Sequence, residues 1–211
     1  LDAEEGREVA DSGKCRETPS ANASSTPRPK GSGTGLFVST NGMLVTNYHV
    51  VENERSIVVY DSITRKGYEA DVLVIDDRND LAVLKSDLKG RALPLAGKSV
   101  RKGQDIMALG YPVPSIQGAE QKATFGRVNA LKGMQDDVAA FQMDVPIQPG
   151  NSGGPVLNMN GEVVGVSTYT LSSKTKSDRN ISSVFYAVKA DYVKAILATL
   201  PKEYVPVRGS G

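Results

Sequence analysis

A serine within a glycine-rich run is the first candidate for chemistry in this chain. Ser152 lies in the sequence PGNSGGPV, residues 149–156. Because glycine tolerates backbone angles and close approaches that other residues exclude, such a loop can direct several backbone N–H groups at one point. That arrangement suits an oxyanion, although an isolated run of this kind is as typical of a glycine-rich turn between two strands. The other chemistry-bearing residues have to decide between the two interpretations.

A serine hydroxyl needs a base, and a group that orients the base, before it can act as a nucleophile. His49 is the only histidine, and Asp80 lies between the polar turn DDRN at residues 76–79 and the apolar residues 81–84. Alone, His49 would more often be a structural imidazole and Asp80 a turn or capping carboxylate. Together, the chain order His49, Asp80, Ser152 matches one of the few orders known for Ser-His-Asp triads.

Strand-forming segments surround these three residues. Residues 36–46 predict a hairpin closed at Asn41-Gly42. Helical spacing of apolar residues at 191–200 predicts one short helix, with Asp191 as its N-cap and Pro201 ending it. Further strands are predicted at residues 56–60, 68–75, 81–85, 105–110, 123–130, 140–145, 155–157, 162–168 and 184–188. We therefore expect an all-β protein with two groups of strands, at 35–95 and 105–190, joined by a connector at 96–104.

The two ends of the chain are expected to lie outside this core. Residues 1–34 are polar and too poor in apolar side chains to build a core, so we expect a flexible N-terminal arm, and residues 201–211 form a tail. The chain begins at Leu1, which indicates a processed or shortened form. Only residues 201–211 follow the helix, so either the chain has been shortened there or it is a stand-alone unit, and both alternatives stay open.

Composition excludes several classes of site and partner. Cys15 is the only cysteine, so an intrachain disulfide is excluded, and a Cys/His metal cluster is excluded because His49 is the only histidine. We expect no metal and no cofactor. The formal net charge is +1, without a run of like charges that would bind nucleic acid or an acidic membrane. No membrane-spanning segment is expected either.

Several segments resemble the trypsin-like serine proteases of the HtrA (Deg) family. They are GLFVS at 35–39, LVTNYHVV at 44–51, NDLAVLK at 79–85, PGNSGGPV at 149–156, GEVVGV at 161–166 and VFYAV at 184–188. The resemblance covers about residues 33–200. It implies a chymotrypsin-like double β-barrel, with two perpendicular six-stranded barrels and the active site between them.

The resemblance also implies a role for each candidate residue. Ser152 would attack the scissile carbonyl, His49 would take and return the proton, and Asp80 would orient His49. The loop of Gly150, Asn151 and Ser152 would supply the oxyanion hole, through the N–H groups of Gly150 and Ser152. We therefore expect a serine endopeptidase that acts on unfolded or exposed polypeptide segments in a periplasmic or secreted setting.

Specificity follows from the walls that the family uses for its primary pocket. Here those walls are Pro146, Ile147, Gln148, Val166, Ser167 and Thr168. They contain no carboxylate, so a buried Lys or Arg of the substrate would lack a counter-charge. A small or medium aliphatic residue before the cut is therefore predicted.

Two other functions remain open at this stage. One is a protease-fold binding module or chaperone with a latent or inactive site, and the other is an ester hydrolase with the same triad. Members of the family often trimerise through aromatic residues near the N-terminus, whereas here Phe37 is the first aromatic residue, so a trimer is not expected. The choice between a monomer and another homo-oligomer stays open.

Overall fold

The computed structural model describes residues 32–111, 120–171 and 184–201, with side chains left out at 169–171. All of these residues belong to one compact unit, Gly31–Gly211. Most of the predicted arm and the tail after residue 201 lie outside the described residues. Thr34, the last residue of that predicted arm, is instead buried.

The described residues form an all-β protein with a short C-terminal helix, as predicted, and a second, one-turn helix that was not predicted. In chain order the elements are β1 (Leu36–Phe37), β2 (Met43–Thr46), α1 (Tyr48–Val51), β3 (Ile57–Asp61), β4 (Lys66–Asp76), β5 (Leu81–Ser86), β6 (Asp105–Gly110), β7 (Lys122–Ala130), β8 (Ala140–Met143), β9 (Pro155–Asn158), β10 (Val163–Leu171), β11 (Val184–Lys189) and α2 (Ala190–Ala198). A 3₁₀ turn at Met134–Asp136 lies between β7 and β8. Neither helix is long and apolar enough to cross a membrane, and this holds for every helix among the described residues.

The first group of strands is an antiparallel sheet in the order β1-β2-β5-β4-β3. The predicted hairpin closes as expected, with Leu36 opposite Val45 and with Gly42 at a φ of +93°. The resemblance to the HtrA family implied a six-stranded barrel in this part of the chain. The described residues form instead a sheet of five strands. The sheet has two edges: β1 is only two residues long, and β3 pairs with β4 alone.

The second group of strands closes into a six-stranded antiparallel barrel in the order β10-β11-β8-β7-β6-β9. Its interior is filled by apolar side chains from several strands, among them Ile106, Val128, Phe141 and Val156. The predicted connector before β6 holds no strand. Just ahead of it, Leu95 makes a single bridge to Val163. This barrel therefore matches the expectation from the family.

One hydrophobic core joins the two groups of strands to the C-terminal helix. It contains Val45 and Val83 from the first sheet, Val166 from the barrel, and Val193 and Ile196 from α2. Because side chains of all three parts share this core, the barrel and the sheet hold a fixed relation to each other. A cleft between them can therefore keep its geometry.

The helix starts differently from the prediction. Its N-cap is Lys189, which makes no side-chain cap, and α2 continues directly from β11. Asp191 is therefore not the N-cap; it lies in the first turn, where it accepts hydrogen bonds from Ser99 Oγ at 3.0 Å and Lys194 Nζ at 3.1 Å. A carboxylate in this turn is still favourable to the helix dipole.

Candidate active site

His49 is the second residue of the one-turn helix α1, which begins one residue after the inner strand β2. Strand β2 is buried along its whole length and pairs with both β1 and β5, so it fixes the start of α1. Val51 anchors the helix in the hydrophobic core of the first sheet. The imidazole itself is 46% exposed. It is therefore held by its backbone and remains accessible to a substrate.

Asp80 occupies the turn that leads into β5, with its backbone in the left-handed region at a φ of +54°. This conformation is uncommon for a residue with a Cβ and costs free energy unless neighbouring groups hold it. Its carbonyl oxygen accepts hydrogen bonds from Asn47 Nδ2 at 2.9 Å and from the Tyr48 N–H at 3.2 Å. The chain around His49 thus holds the Asp80 turn in place.

The Asp80 carboxylate is the acceptor for three donor groups. His49 Nδ1 lies 2.8 Å from Oδ2 and 3.0 Å from Oδ1, and the His49 backbone N–H donates to Oδ1 at 3.0 Å. Thr168 Oγ1 donates to Oδ2 at 2.5 Å. An ionised carboxylate can only accept, so His49 must carry a proton on Nδ1, which leaves Nε2 of the neutral ring as an acceptor.

These contacts shift both pKa values so that each partner keeps its charge more readily. The hydrogen bond to Asp80 raises the pKa of His49, against the opposing effect of partial burial. For Asp80, burial raises the pKa, but the hydrogen bonds from the His49 ring, Thr168 and the His49 N–H outweigh it and lower the pKa overall. Asp80 is therefore ionised at neutral pH.

Ser152 lies in the loop before β9, and its hydroxyl is directed at Thr168 of β10. Its Oγ donates to the carbonyl oxygen of Thr168 at 2.9 Å. Among the hydrogen bonds of the described residues, none joins Ser152 to His49. The His49–Asp80 pair is therefore formed, whereas the Ser152 hydroxyl is bonded to β10 at Thr168, the same residue whose hydroxyl binds Asp80.

The backbone of the serine loop is paired almost throughout. The Asn151 N–H donates to Gln148 O at 2.9 Å, the Gly153 N–H to Ser167 O at 2.8 Å, and the Gly154 N–H to Asn151 O at 2.9 Å. In the described part of the chain, the N–H groups of Gly150 and Ser152 donate to no protein acceptor. These are the two N–H groups that the sequence analysis assigned to the oxyanion hole.

Glycine is required where the serine loop meets its neighbours. Gly153 has a φ of +86°, and a Cβ there would collide with Thr34 O and Thr46 Oγ1. At Gly154 a Cβ would collide with Leu109 O. Thr34 and Thr46 lie before β1 and in β2 of the first sheet, whereas Leu109 lies in β6 of the barrel. The serine loop is therefore packed between the two groups of strands.

The six residues predicted as pocket walls are placed in different ways. Pro146 and Gln148 are exposed, whereas Ile147 packs in the barrel core and Val166 in the shared core. The Ser167 hydroxyl donates to Asn151 O at 2.7 Å, and that of Thr168 binds Asp80. The side chains from β10 therefore support the site instead of opening into a pocket.

Two residues of this site were missed or misassigned by sequence reasoning. Thr34, assigned to the arm, packs against the serine loop, and Thr168, assigned to a pocket wall, is a hydrogen-bond partner of Asp80. No sequence signal marks Thr34, because a threonine among Gly and Ser residues is typical of a polar linker.

A surface cavity of about 380 Å³ beside α2 is lined by none of the predicted site residues. Nor do the described residues include a group of three or more His, Cys, Asp or Glu side chains placed to hold a metal ion.

Comparison with known proteins agrees with this geometry. Residues 33–166 match the trypsin-like peptidase domain family. The chain is 33% identical over 200 residues to the putative serine protease HhoA of Synechocystis, which covers 86% of this chain and 47% of that protein. It is 35% identical over 192 residues to a probable periplasmic serine endoprotease DegP-like of Rhizobium meliloti, covering 86% of this chain and 36% of the relative. An uncharacterized protein of Sinorhizobium fredii is 35% identical over 173 residues, covering 77% of this chain and 27% of that protein.

A solved structure gives the same result for the fold. The serine endoprotease from Yersinia pestis superimposes with a TM-score of 0.64 at 26% sequence identity, over 79% of this chain and 56% of that one. The chain spans about half or less of the length of the curated relatives that it matches. The matched domain, the shared fold and these relatives together show that the chain belongs to the trypsin-like peptidase family, among its HtrA and DegP-like serine proteases.

Proposed function

We propose that the chain is a serine endopeptidase that cleaves peptide bonds with Ser152, His49 and Asp80 through an acyl-enzyme. The observation that carries this proposal is the His49–Asp80 pair, in which Nδ1 binds the carboxylate and Nε2 is left as an acceptor. This is the arrangement that a general base for a serine hydroxyl requires. The two unpaired N–H groups beside Ser152 support the same reaction.

The proposed reaction begins with rotation of the Ser152 side chain from Thr168 O toward His49 Nε2. His49 takes the hydroxyl proton as Oγ bonds to the substrate carbonyl carbon, and Asp80 stabilises the imidazolium. The carbonyl oxygen becomes an oxyanion that accepts from the N–H groups of Gly150 and Ser152. The C–N bond then breaks, and the leaving amine takes the proton from His49.

Water then hydrolyses the acyl-enzyme and completes the cycle, taking the place of the amine that has left. His49 removes a proton from water, whose oxygen bonds to the acyl carbon and forms a second oxyanion. Collapse breaks the bond to Ser152 Oγ, which takes its proton back from His49. The products are a carboxylic acid and the free enzyme, so no cofactor enters the reaction.

We further propose that the substrates are unfolded or exposed polypeptide segments with a small aliphatic residue before the cut. The loop before the serine supports this, because Pro146, Ile147 and Gln148 carry no charge that could pair with a buried Lys or Arg. A periplasmic or secreted location is proposed from the relative that is named a probable periplasmic endoprotease.

A second candidate function is a protease-fold chaperone that binds polypeptides with its nucleophile latent. The observation in its favour is the Ser152 hydroxyl, which donates to Thr168 O instead of His49. We propose that rotation about the Cα–Cβ bond of the partly buried Ser152 side chain, between staggered rotamers, converts one arrangement into the other. The resting position therefore does not prevent the peptidase reaction.

The test is labelling of the protein with a fluorophosphonate, followed by cleavage of casein. We expect the wild-type protein to be labelled at Ser152 and to cut casein, and Ser152→Ala to do neither while keeping its thermal midpoint. Ser99→Ala, which removes an exposed hydroxyl bonded to Asp191, is the matched control and should behave like wild type. Casein cleavage by purified Ser152→Ala at the wild-type rate would refute the assignment, and binding of casein without labelling would favour the chaperone.

A further inference from the structure

We propose that Thr34 is a positioning residue for the oxyanion hole: its hydroxyl holds the Gly150 carbonyl and thereby keeps the Gly150 N–H directed at the substrate. This inference rests on the proposed peptidase function. Thr34 is 4% exposed and lies 116 residues before Gly150 in the chain. It reaches the loop because the strand that follows it, β1, lies at the edge of the first sheet beside β2.

Every polar group of Thr34 is used at the boundary between sheet and barrel. Its N–H donates to Ser152 O at 2.8 Å, and its hydroxyl donates to Gly150 O at 2.6 Å. The same hydroxyl accepts from the Tyr111 N–H at 3.1 Å, and Thr34 O accepts from Thr46 Oγ1 at 2.8 Å. Strand β2 and the end of β6 thus fix Thr34, and Thr34 in turn fixes two carbonyls of the serine loop.

The position of these bonds along the loop shows what Thr34 restrains. The 150–151 peptide is held at its carbonyl by Thr34 and at its N–H by Gln148 O, and the 152–153 peptide is held by Thr34 and by Ser167 O. The 151–152 peptide is held through Asn151 O by the Gly154 N–H and the Ser167 hydroxyl. Among the described residues, the Pro149–Gly150 peptide has no hydrogen bond at either end.

That unheld peptide carries one of the two N–H groups needed for the oxyanion. Gly150 has a φ of +96° with Pro149 before it, and the Asn151 N–H closes the turn on Gln148 O, as in a type II turn. The nitrogen of Gly150 and the carbonyl that Thr34 holds are bonded to the same Cα, so the hydrogen bond from Thr34 fixes the position from which the Gly150 N–H extends. Without that bond, the Gly150 end of the turn is free to shift and to carry the N–H away from the oxyanion.

Loss of the hydroxyl should therefore weaken transition-state binding more than substrate binding. An oxyanion contacts the Gly150 N–H only after the carbonyl carbon becomes tetrahedral, so the effect belongs in kcat. Complete removal of one oxyanion donor costs about 10²–10³-fold in kcat, and a misdirected donor should cost about 10- to 100-fold. Among the described residues, no hydrogen bond joins Thr34 to His49 or Asp80, so the pH midpoint of kcat/KM should not move.

The experiment compares Thr34→Val, Thr34→Ser and Ser86→Ala with the wild-type protein on one peptide substrate. Thr34→Val keeps the shape and loses the hydroxyl, and Thr34→Ser keeps the hydroxyl. Ser86→Ala is a matched control, since Ser86 is 3% exposed and its hydroxyl likewise donates to a carbonyl, Glu69 O, and accepts an N–H, that of Leu88. We expect a lower kcat with unchanged KM and pH midpoint for Thr34→Val, recovery in Thr34→Ser, and wild-type kinetics for Ser86→Ala.

Other results overturn the proposal. These are a wild-type kcat for a folded Thr34→Val, a raised KM with unchanged kcat, or an equal loss in Ser86→Ala at the same drop in thermal midpoint. If Thr34→Val does not fold, Thr34→Ala replaces it; if neither folds while Thr34→Ser does, the hydroxyl serves the fold and not the hole. A wild-type protein that is neither labelled nor active refutes the peptidase function itself.

Discussion

Replacing Asp80 by asparagine is a demanding test of the site, because the two side chains have nearly the same shape and differ in what they can accept. The carboxylate of Asp80 serves three donors: the His49 ring, the His49 backbone N–H and the Thr168 hydroxyl. An asparagine offers one oxygen and one NH₂ group. At least one of the three donors must therefore face the NH₂ group.

The geometry decides which donor that is. The His49 backbone N–H cannot become an acceptor, so the amide oxygen of the substituted side chain should occupy the Oδ1 position that faces it at 3.0 Å. The NH₂ group then takes the Oδ2 position, 2.8 Å from His49 Nδ1. A donor at that place stabilises the ring with Nδ1 unprotonated, which puts the proton on Nε2. That tautomer cannot accept a proton from Ser152.

The expected loss is large and falls on kcat. Substitution of the triad aspartate by asparagine in the chymotrypsin-fold template lowers kcat about 10⁴-fold, and we expect the same order here. Four decades of rate correspond to about 5.4 kcal/mol of transition-state stabilisation. KM should change little, because Asp80 lies behind His49 and is not expected to contact the substrate.

The assay is steady-state hydrolysis of a peptide substrate, with thermal unfolding as a check on the fold. Asp77→Asn is the matched control, since Asp77 lies in the same turn and its carboxylate accepts only the Arg78 N–H, at 2.8 Å. We expect this control to stay within about threefold of wild type, as for an exposed surface substitution. An Asp80→Asn variant that retains more than about a tenth of the activity, or an equal loss in Asp77→Asn, would refute the reasoning.

Two further predictions concern pH and specificity. Only neutral His49 can take the serine proton, and the pKa of His49 is raised above the ordinary 6.5. We therefore expect kcat/KM to rise with pH through one ionisation centred above pH 6.5. A profile that is flat from about pH 5 to 9 would exclude His49 as the base. Mass-spectrometric mapping of cuts in a denatured protein mixture should place most of them after Val, Ala, Ile or Leu, and a majority after Lys or Arg would contradict the uncharged pocket.

The strands and the acid–base pair were predictable because each depends on local patterns. Apolar runs on both sides of the Asn41-Gly42 turn predict the β1–β2 hairpin, and β6 has the predicted bounds of residues 105–110. Asp80 was separable from Asp76 and Asp77 by its place directly before β5. The structure brings it to His49 as expected.

The remaining features depend on contacts between distant segments, which a single sequence does not display. Thr34 looks like linker composition, and its burial arises only when β2 and the serine loop enclose it. The Ser152 side-chain orientation is a rotamer choice between two acceptors, and no residue type encodes it. Lys189 occupies the N-cap position of α2, without a capping hydrogen bond from its side chain, because β11 runs straight into the helix. The path of the chain thus overrides the usual preference for Asp at the N-cap position.

The hydrogen bonds of the serine loop also have a consequence for how the chain acquires activity as it folds. Thr34 and its partner Gly150 are separated by 116 residues, and Ser152 and Thr168 by 16. Closing so long a loop is entropically costly, and contacts of this kind tend to form late in folding. A partly folded or incompletely synthesised chain that holds Ser152 but has not yet docked β1, β2 and β10 has an unanchored oxyanion loop. On the proposed mechanism, hydrolytic competence is therefore expected only after these segments have docked.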